Sequence, residues 1–283
     1  GHNSAEYLHH IIEAKKLAYA DIQKWNGDPE FNHLPIQEII STEYARRQFE
    51  RIDPNRAQAR VESGINGNGD TILLEVMDAD HNAVSFIYSL FSSFGSGLVP
   101  PGTGYTLQNR GGLFSREPGH ANVVEPHKRP FHTIIPAFAF KKDMPGCQVR
   151  AEPIEQACRF EPWLSFGLMG GGMQPQGHVQ VILNLVDFDM GLQEAGDAAR
   201  WEHVGGCEPT DDLDGDACET DMGVVHLESG IPPETRAELE ARGHAVECCK
   251  ANAGGYQAIM RDFETGAWIA ATEMRKDGSA DGY

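Results

Sequence analysis

Long hydrophobic runs and basic residues are what the sequence most clearly lacks. No stretch of about 18 apolar residues is present, so no membrane span is expected. Only 23 Lys and Arg stand against 42 Asp and Glu, which gives a formal net charge of −19. Because phosphate groups are repelled by such a surface, nucleic acid is not expected as a partner. Otherwise 283 residues with 40% hydrophobic content are typical of one large or two small globular domains.

Cysteine pairs of the C-x-x-C type are also absent among the six cysteines. Cys248 and Cys249 are adjacent, which is a poor geometry for bridging one another. We therefore expect reduced thiols, either structural or on the surface. A single disulfide between Cys207 and Cys218, around an acidic loop, is the alternative.

Two further motifs are too weak to indicate a metal or a nucleotide. Residues 212–216 are similar to a calcium loop, but the glycine comes too early and the final Glu is misplaced, so a solvated acidic loop is expected. Gly170, Gly171 and Gly172 lack the G-x-G-x-x-G spacing and the acidic partner of a dinucleotide site. We expect no metal and no organic cofactor.

Hydrophobic periodicity predicts helices and strands along the whole chain. Ser4 fits the N-cap of a helix over residues 4–25. Further helices are predicted over 42–52, 177–199 and 233–242, and strands over 71–77, 83–91, 133–140, 163–168, 224–227, 257–262 and 268–272. Residues 80–82 are expected to form the hairpin turn between the first two strands. The nearly continuous apolar positions of those two strands indicate burial on both faces.

A glycine-rich loop over residues 64–70 leads into the strand that starts at Thr71. Downstream, in order, follow Phe94-Gly95-Ser96-Gly97, Lys128-Arg129-Pro130 and Met169-Gly170-Gly171-Gly172. This series resembles the γ-glutamyltransferase family of N-terminal-nucleophile hydrolases. The resemblance covers essentially the whole chain and implies an α+β fold, the four-layer αββα sandwich. It also implies a small-molecule amide substrate of γ-glutamyl or glutaryl type.

By that resemblance Thr71 is the nucleophile, and the precursor cuts itself at Asp70–Thr71. A threonine hydroxyl is a weak nucleophile that needs a base nearby. Cleavage would give Thr71 a free α-amino group with an unperturbed pKa of roughly 8, which can accept the hydroxyl proton near neutral pH. One residue would then supply both nucleophile and base.

Three further residues complete the machinery that the resemblance implies. Ser89, on the neighbouring strand, would hydrogen-bond the nucleophile and position it. Gly170 and Gly171 would point their backbone N–H groups at the developing oxyanion, and glycine lets the substrate carbonyl approach the main chain closely.

Several residues depart from the family pattern for holding a substrate's α-amino and α-carboxyl groups. Phe91 stands in place of an asparagine, Arg110 in place of an acceptor side chain, and Leu113 in place of an aspartate. His132 and Thr133 replace a pair of serines. Leu113 cannot bind an ammonium group, whereas Arg110 with His132 could bind a plain carboxylate. Residues 107–111 and 173–178 are similar to a branch of the family that is γ-glutamyltransferase-like or cephalosporin-acylase-like.

Two hypotheses follow. In the first, residues 1–70 are the end of a large subunit and 71–283 a small catalytic subunit that forms an acyl-enzyme at Thr71. The acyl group is γ-glutamyl as in glutathione hydrolases, or alternatively glutaryl as in cephalosporin-type acylases. In the second, the chain is a non-catalytic truncated homologue. The start without Met indicates a partial chain lacking most of the large subunit, while the last residues resemble the family's C-terminal signature.

Overall fold

The computed structural model describes residues 1–58, 69–142, 160–205, 222–249 and 253–282. Within these ranges the helices are α1 (Ala5–Trp25), α2 (Ile36–Ile39), α3 (Thr42–Phe49), α4 (Met173–Val186), α5 (Leu192–Asp197) and α6 (Pro233–Ala241). The strands are β1 (Gly69–Met77), β2 (Ala83–Ser92), β3 (Ala137–Lys142), β4 (Phe160–Met169), β5 (Trp201–Val204), β6 (Val224–Leu227), β7 (Ala245–Cys248), β8 (Gly255–Arg261) and β9 (Trp268–Thr272). No helix in these described ranges is long and apolar enough to cross a membrane.

β1 and β2 form an antiparallel hairpin, as predicted. Asp78 closes the turn by accepting hydrogen bonds from the backbone and side-chain nitrogens of Asn82. Because successive residues of a strand face opposite ways, Thr71 and Leu73 are buried while the other face is open. That outer face exposes the apolar side chains of Ile72, Leu74, Val76, Val84, Phe86 and Tyr88. The predicted burial on both faces is therefore wrong within this chain, since no described residue covers the outer face.

The central sheet is antiparallel, with strand order β3-β4-β8-β9. One face of β4 packs against α4 and α5 through Leu164, Phe166 and Leu168. The other face of β4 meets β1: Ser165 Oγ donates to Glu75 Oε2 at 2.6 Å, and a Cβ added to Gly167 would lie 2.5 Å from Leu73 Cδ2. The layers therefore run from helices, through the central sheet, to the β1–β2 hairpin.

The helix predicted over 177–199 is two helices, α4 and α5. α4 begins at Met173, earlier than predicted, because Pro175 falls in the first turn, where a missing N–H costs no intrahelical hydrogen bond. It ends at Val186, and a turn separates it from α5. Gly177 lets α4 lie directly on β4, because a Cβ there would come within 2.6 Å of the Leu168 methyl carbons.

A third sheet, of β5, β6 and β7, packs with α1 and α6. β6 lies in its middle, antiparallel to β5 and parallel to β7. Leu8 and Ile12 of α1 share a buried core with Trp201, Leu227 and Leu239. The predicted N-cap of α1 is confirmed, since Ser4 accepts a hydrogen bond from the backbone N–H of Tyr7 at 3.3 Å.

Two buried ion pairs fix the C-terminal segment to the β5–β6 region. Arg200 pairs with Glu273 at 2.8 Å, with side chains 2% and 1% exposed. Arg275 pairs with Glu228 at 2.6 Å. Burial raises the pKa of Glu273, but the two arginine charges outweigh burial and hold that pKa below its usual range.

The prediction that Cys248 and Cys249 do not bridge is wrong, because these neighbours form a disulfide. β7 ends at Cys248, and Cys249 has a left-handed backbone with φ 70°, which turns the chain there. The proposed pair Cys207 and Cys218, the acidic loop over 212–216 and the remaining cysteines, Cys147 and Cys158, lie outside the described residues.

Candidate active site

Thr71 lies at a β-bulge. Asp70 pairs with Phe91 and Thr71 pairs with Ser89, so Leu90 is an extra residue in β2. Phe91 has a φ of 76°, in the left-handed region that residues other than glycine rarely adopt. Bulges bend a strand, redirect its side chains and are frequent beside active sites. Here the irregularity falls at the Asp70–Thr71 bond.

Ser89 gathers three donors around one hydroxyl oxygen. Thr71 Oγ1 donates to Ser89 Oγ at 2.9 Å, the Phe91 N–H donates to it at 3.0 Å, and Arg110 Nη2 donates to it at 3.2 Å. Thr71 itself is only 8% exposed. The contact expected between Thr71 and Ser89 is thus present, and it holds the threonine hydroxyl in one position.

Arg110 is a half-buried cation beside this hydroxyl pair. Its Nη1 donates to Thr133 Oγ1 at 2.8 Å, and its guanidinium lies 5.1 Å from the centre of the Phe91 ring. Burial lowers the pKa of Arg110, and no carboxylate among the described residues pairs with it. Because a buried charge without a counter-ion is costly, this position favours an anionic ligand.

The other residues predicted to bind substrate differ in their burial and contacts. Phe91 and Leu113 are buried, at 1% and 2% exposure, and offer no acceptor for an ammonium group. Thr133 contacts Arg110, whereas His132 is exposed and donates from Nδ1 to the carbonyl oxygen of Pro130 at 2.7 Å. Thr133 rather than His132 is therefore the partner that the fold brings to Arg110.

Gly170 and Gly171 form the bend between β4 and α4. Both have positive φ, 136° and 58°, which explains the need for glycine. A Cβ on Gly170 would also lie 3.2 Å from the Cα of Gly254. Neither backbone N–H donates to another residue in the described part of the chain. Among the described residues, these two amide donors therefore have no acceptor.

The contacts between β1 and β4 bring Thr71 towards this bend. Glu75 meets Ser165, and Leu73 meets Gly167, so two steps back along β1 correspond to two steps forward along β4. If the same register continues for two more residues, Thr71 lies opposite Met169, immediately before Gly170. This register would place Thr71 and the Gly170–Gly171 bend at the same end of the two packed sheets.

Asp28 and Arg129 form a link that the sequence analysis did not anticipate. Arg129 donates to the Asp28 carboxylate from Nη2 at 2.8 Å and from its backbone N–H at 2.9 Å. Hydrogen bonds from Arg129 hold the pKa of Asp28 well below its ordinary value. The pair joins a Gly-Asp-Pro loop to the Lys-Arg-Pro segment, two stretches that periodicity cannot pair across such a separation.

One cluster in the described ranges has the composition of a metal site: His9, Glu13 and His244, all buried. Its polar atoms already bind one another or close neighbours. His9 Nδ1 lies 2.8 Å from His244 Nε2, and Glu13 Oε1 accepts from Lys16 Nζ at 2.7 Å. Because the Lys16 charge already neutralises Glu13, we interpret the cluster as a polar clamp between α1 and the start of β7.

Comparison with known proteins shows the family to which the chain is related. A protein-family model described as Gamma-glutamyltranspeptidase matches residues 1–283. The chain belongs to this family. It is 32% identical to the glutathione hydrolase-like YwrD proenzyme of Bacillus subtilis, over 99% of this chain and 48% of that protein. It is 31% identical to the oxamate amidohydrolase proenzyme of Klebsiella pneumoniae, over 99% of this chain and 48% of that protein.

Solved structures of the family share the fold. Cephalosporin acylase from Bacillus halodurans aligns with a TM-score of 0.78 and 34% sequence identity, over 99% of this chain and 46% of the other. The mixed α/β architecture is thus that of N-terminal-nucleophile hydrolases. The chain spans about half the length of these relatives.

Proposed function

We propose that this chain is the C-terminal half of an autocatalytically processed amidohydrolase or acyltransferase of the gamma-glutamyltranspeptidase family. Residues 1–70 would end the large subunit, 71–283 would form the small subunit, and Asp70–Thr71 would be the cleaved bond. The observation that carries the proposal is the Thr71–Ser89 hydrogen bond at a bulge that coincides with that bond. The relatives above are described as proenzymes, which agrees with processing.

In the proposed reaction Thr71 is both nucleophile and base. Its hydroxyl oxygen attacks the amide carbonyl while its freed α-amino group takes the hydroxyl proton. The Gly170 and Gly171 N–H groups stabilise the negative oxygen of the tetrahedral intermediate. The proton then passes to the leaving amine, the C–N bond breaks, and water or an amine resolves the ester at Thr71.

The acyl group is proposed to carry a carboxylate that pairs with Arg110. A γ-glutamyl amide, as in a glutathione hydrolase, has such a carboxylate, and so does the glutaryl amide of the acylase alternative. Arg110 lies 3.2 Å from Ser89 Oγ, one hydroxyl away from Thr71. Oxamate, named for one relative, is likewise an amide that bears a carboxylate.

We further propose that the four-layer αββα sandwich is completed by chain that the relatives have and this sequence does not include. The open outer face of the β1–β2 hairpin supports this, because six large apolar side chains are exposed there. Such a patch is unusual on a free surface and typical of an interface. In the alternative hypothesis, a truncated chain of 283 residues is a non-catalytic homologue.

Trapping of the acyl-enzyme tests the proposal. The processed protein is mixed with a glutaryl or γ-glutamyl anilide, quenched in acid within one turnover and digested. The expected result is one acyl group on the peptide that begins with Thr71, and none in Thr71→Ala. Acylation at another residue, or turnover that survives in Thr71→Ala, would contradict it.

A further inference from the structure

Tyr19 of α1 contacts the glycine bend between β4 and α4. In the sequence this tyrosine lies before the proposed cleavage bond, whereas the bend lies after it. It is 3% exposed, and its hydroxyl donates to the carbonyl oxygen of Gly172 at 2.5 Å. Gly172 directly follows Gly170 and Gly171, the two glycines of the bend, and it precedes α4. None of the sequence motifs singled out this tyrosine.

The peptide planes of the bend transmit this contact to an oxyanion donor. The carbonyl held by Tyr19 belongs to the planar Gly172–Met173 peptide, whose N–H donates to the Gly170 carbonyl at 3.0 Å. That carbonyl in turn belongs to the Gly170–Gly171 peptide, so its direction sets the direction of the Gly171 N–H. Two rigid planes and one hydrogen bond thus connect the Tyr19 hydroxyl to the Gly171 amide.

A glycine bend needs such a restraint, because glycine rotates freely between the conformations that would point this amide inward or outward. Tyr19 is itself held in place, with Lys15 Nζ lying 4.0 Å from its ring centre. Lys15 also donates to the carbonyl of His203 at 3.0 Å. The same Gly172 carbonyl accepts a second hydrogen bond, from Gln176 Nε2 at 3.1 Å.

We propose that Tyr19 is a positioning residue for the oxyanion site, acting through the Gly172 and Gly170 carbonyls on the Gly171 N–H. This inference rests on the proposed function, in which Gly171 stabilises the tetrahedral intermediate. Because Tyr19 precedes Asp70–Thr71, the hydrogen bond from Tyr19 to the Gly172 carbonyl would join the two subunits after cleavage. The end of the large subunit is thereby part of the catalytic apparatus.

The test is Tyr19→Phe in the complete proenzyme, with Tyr44→Phe as the matched control. Each change removes one hydroxyl, and the Tyr44 hydroxyl donates to Asp21 at 2.7 Å between α3 and α1. Rates are referred to the concentration of cleaved enzyme. For Tyr19→Phe we expect kcat to fall roughly threefold to tenfold, the effect of one ordinary hydrogen bond, with KM within about twofold. Tyr44→Phe is expected to match the wild type.

A second readout separates positioning from general damage. A boronic acid that forms a tetrahedral adduct with Thr71 should bind Tyr19→Phe more weakly by the same factor as kcat, while a carboxylate product should bind unchanged. Should Tyr19→Phe not fold, Gln176→Met removes the other donor to the same carbonyl, together with two hydrogen bonds between Gln176 and the His203 backbone. It should show the same selective loss. Equal kcat and boronate affinity in wild type and variant would overturn the inference. A wild type that neither turns over nor binds the boronate would instead overturn the proposed function.

Discussion

Arg110 is a half-buried cation with no carboxylate partner among the described residues, and a single hydroxyl separates it from Thr71. The buried side chains of Phe91 and Leu113 next to this region supply no acceptor for a substrate ammonium. An anion should therefore bind well, whereas a buried ammonium would lose its hydration without a partner.

The active enzyme should accordingly prefer a glutaryl anilide over the matching γ-glutamyl anilide, which differs by the ammonium group. We expect at least about tenfold in kcat/KM, equivalent to ~1.4 kcal/mol. Arg110→Ala should reduce kcat/KM for both, while Arg236→Ala, on the exposed face of α6, should not. Faster turnover of the γ-glutamyl substrate, or no loss in Arg110→Ala, would show that other groups hold the acyl chain.

At the level of secondary-structure elements, buried ion pairs hold the C-terminal segment in place. Arg200 and Glu273 pair at 2% and 1% side-chain exposure, whereas Arg236 and Glu240 on α6 pair at 43% and 44%. Removing one partner of a buried pair leaves the other charge buried without a counter-ion, which is costly. Removing one partner of an exposed pair leaves the other charge solvated by water, which costs little.

Glu273→Gln should therefore lower the free energy of unfolding by roughly 3–5 kcal/mol, and the matched Glu240→Gln by less than about 1 kcal/mol. Urea unfolding monitored by circular dichroism measures both. Equal losses in the two variants would mean that the Arg200–Glu273 pair is not buried as described.

The clamp between α1 and β7 should make the fold sensitive to acid. Burial, with the charge of Lys16 next in importance, lowers the pKa of His244 to about 3, so the folded protein keeps this imidazole neutral. The unfolded chain takes up a proton near pH 6.5, its ordinary value. The contribution of His244 to stability is thus fully present above pH 6.5 and is lost as the pH falls towards about 3.

In His244→Gln the amide can still donate to His9 Nδ1 but cannot titrate. We expect the melting temperature of this variant to fall less steeply than that of the wild type between pH 6.5 and pH 4. His33→Gln, at an exposed position, should follow the wild type. Parallel pH profiles for all three proteins would contradict the clamp.

Elements with a strong local pattern were predictable, and those set by distant contacts were not. The β1–β2 hairpin and α1 follow from alternation and from the Ser4 cap. β5 and β7 are four-residue strands whose pairing with β6 carries no local signal. The split between α4 and α5 was missed because the apolar stripe continues across the turn.

The candidate site shows the same division. Thr71, Ser89, Gly170 and Gly171 were found because they recur at fixed spacings in a known family, and their catalytic roles stay predictions. Tyr19 was not found, because its contact with Gly172 joins two helices far apart in the sequence.

At the scale of the whole molecule, the outer face of the β1–β2 hairpin is the part that this chain leaves incomplete. Phe86, in the middle of that face, is 57% exposed. If further chain covers this face in the complete proenzyme, a polar substitution of Phe86 should destabilise the proenzyme. In the 283-residue chain alone, the same substitution should instead reduce self-association.

Phe86→Ser should reduce self-association of the 283-residue chain, because it removes exposed apolar surface. In the complete proenzyme it should destabilise the fold by roughly 3 kcal/mol, because Phe86 would be buried there. Analytical ultracentrifugation and urea unfolding measure the two effects. An unchanged stability of the complete proenzyme would show that the face remains open.

The central claim is that Thr71 becomes an N-terminal nucleophile by cleavage of the bond before it. Denaturing mass spectrometry of the purified proenzyme during incubation at neutral pH tests this directly. We expect a C-terminal fragment that begins at Thr71 to accumulate. Thr71→Ser should be cleaved more slowly, since a hydroxyl remains, and Thr71→Ala should stay uncut. A folded wild-type protein that remains a single chain, or one cut at any other bond, would contradict the account.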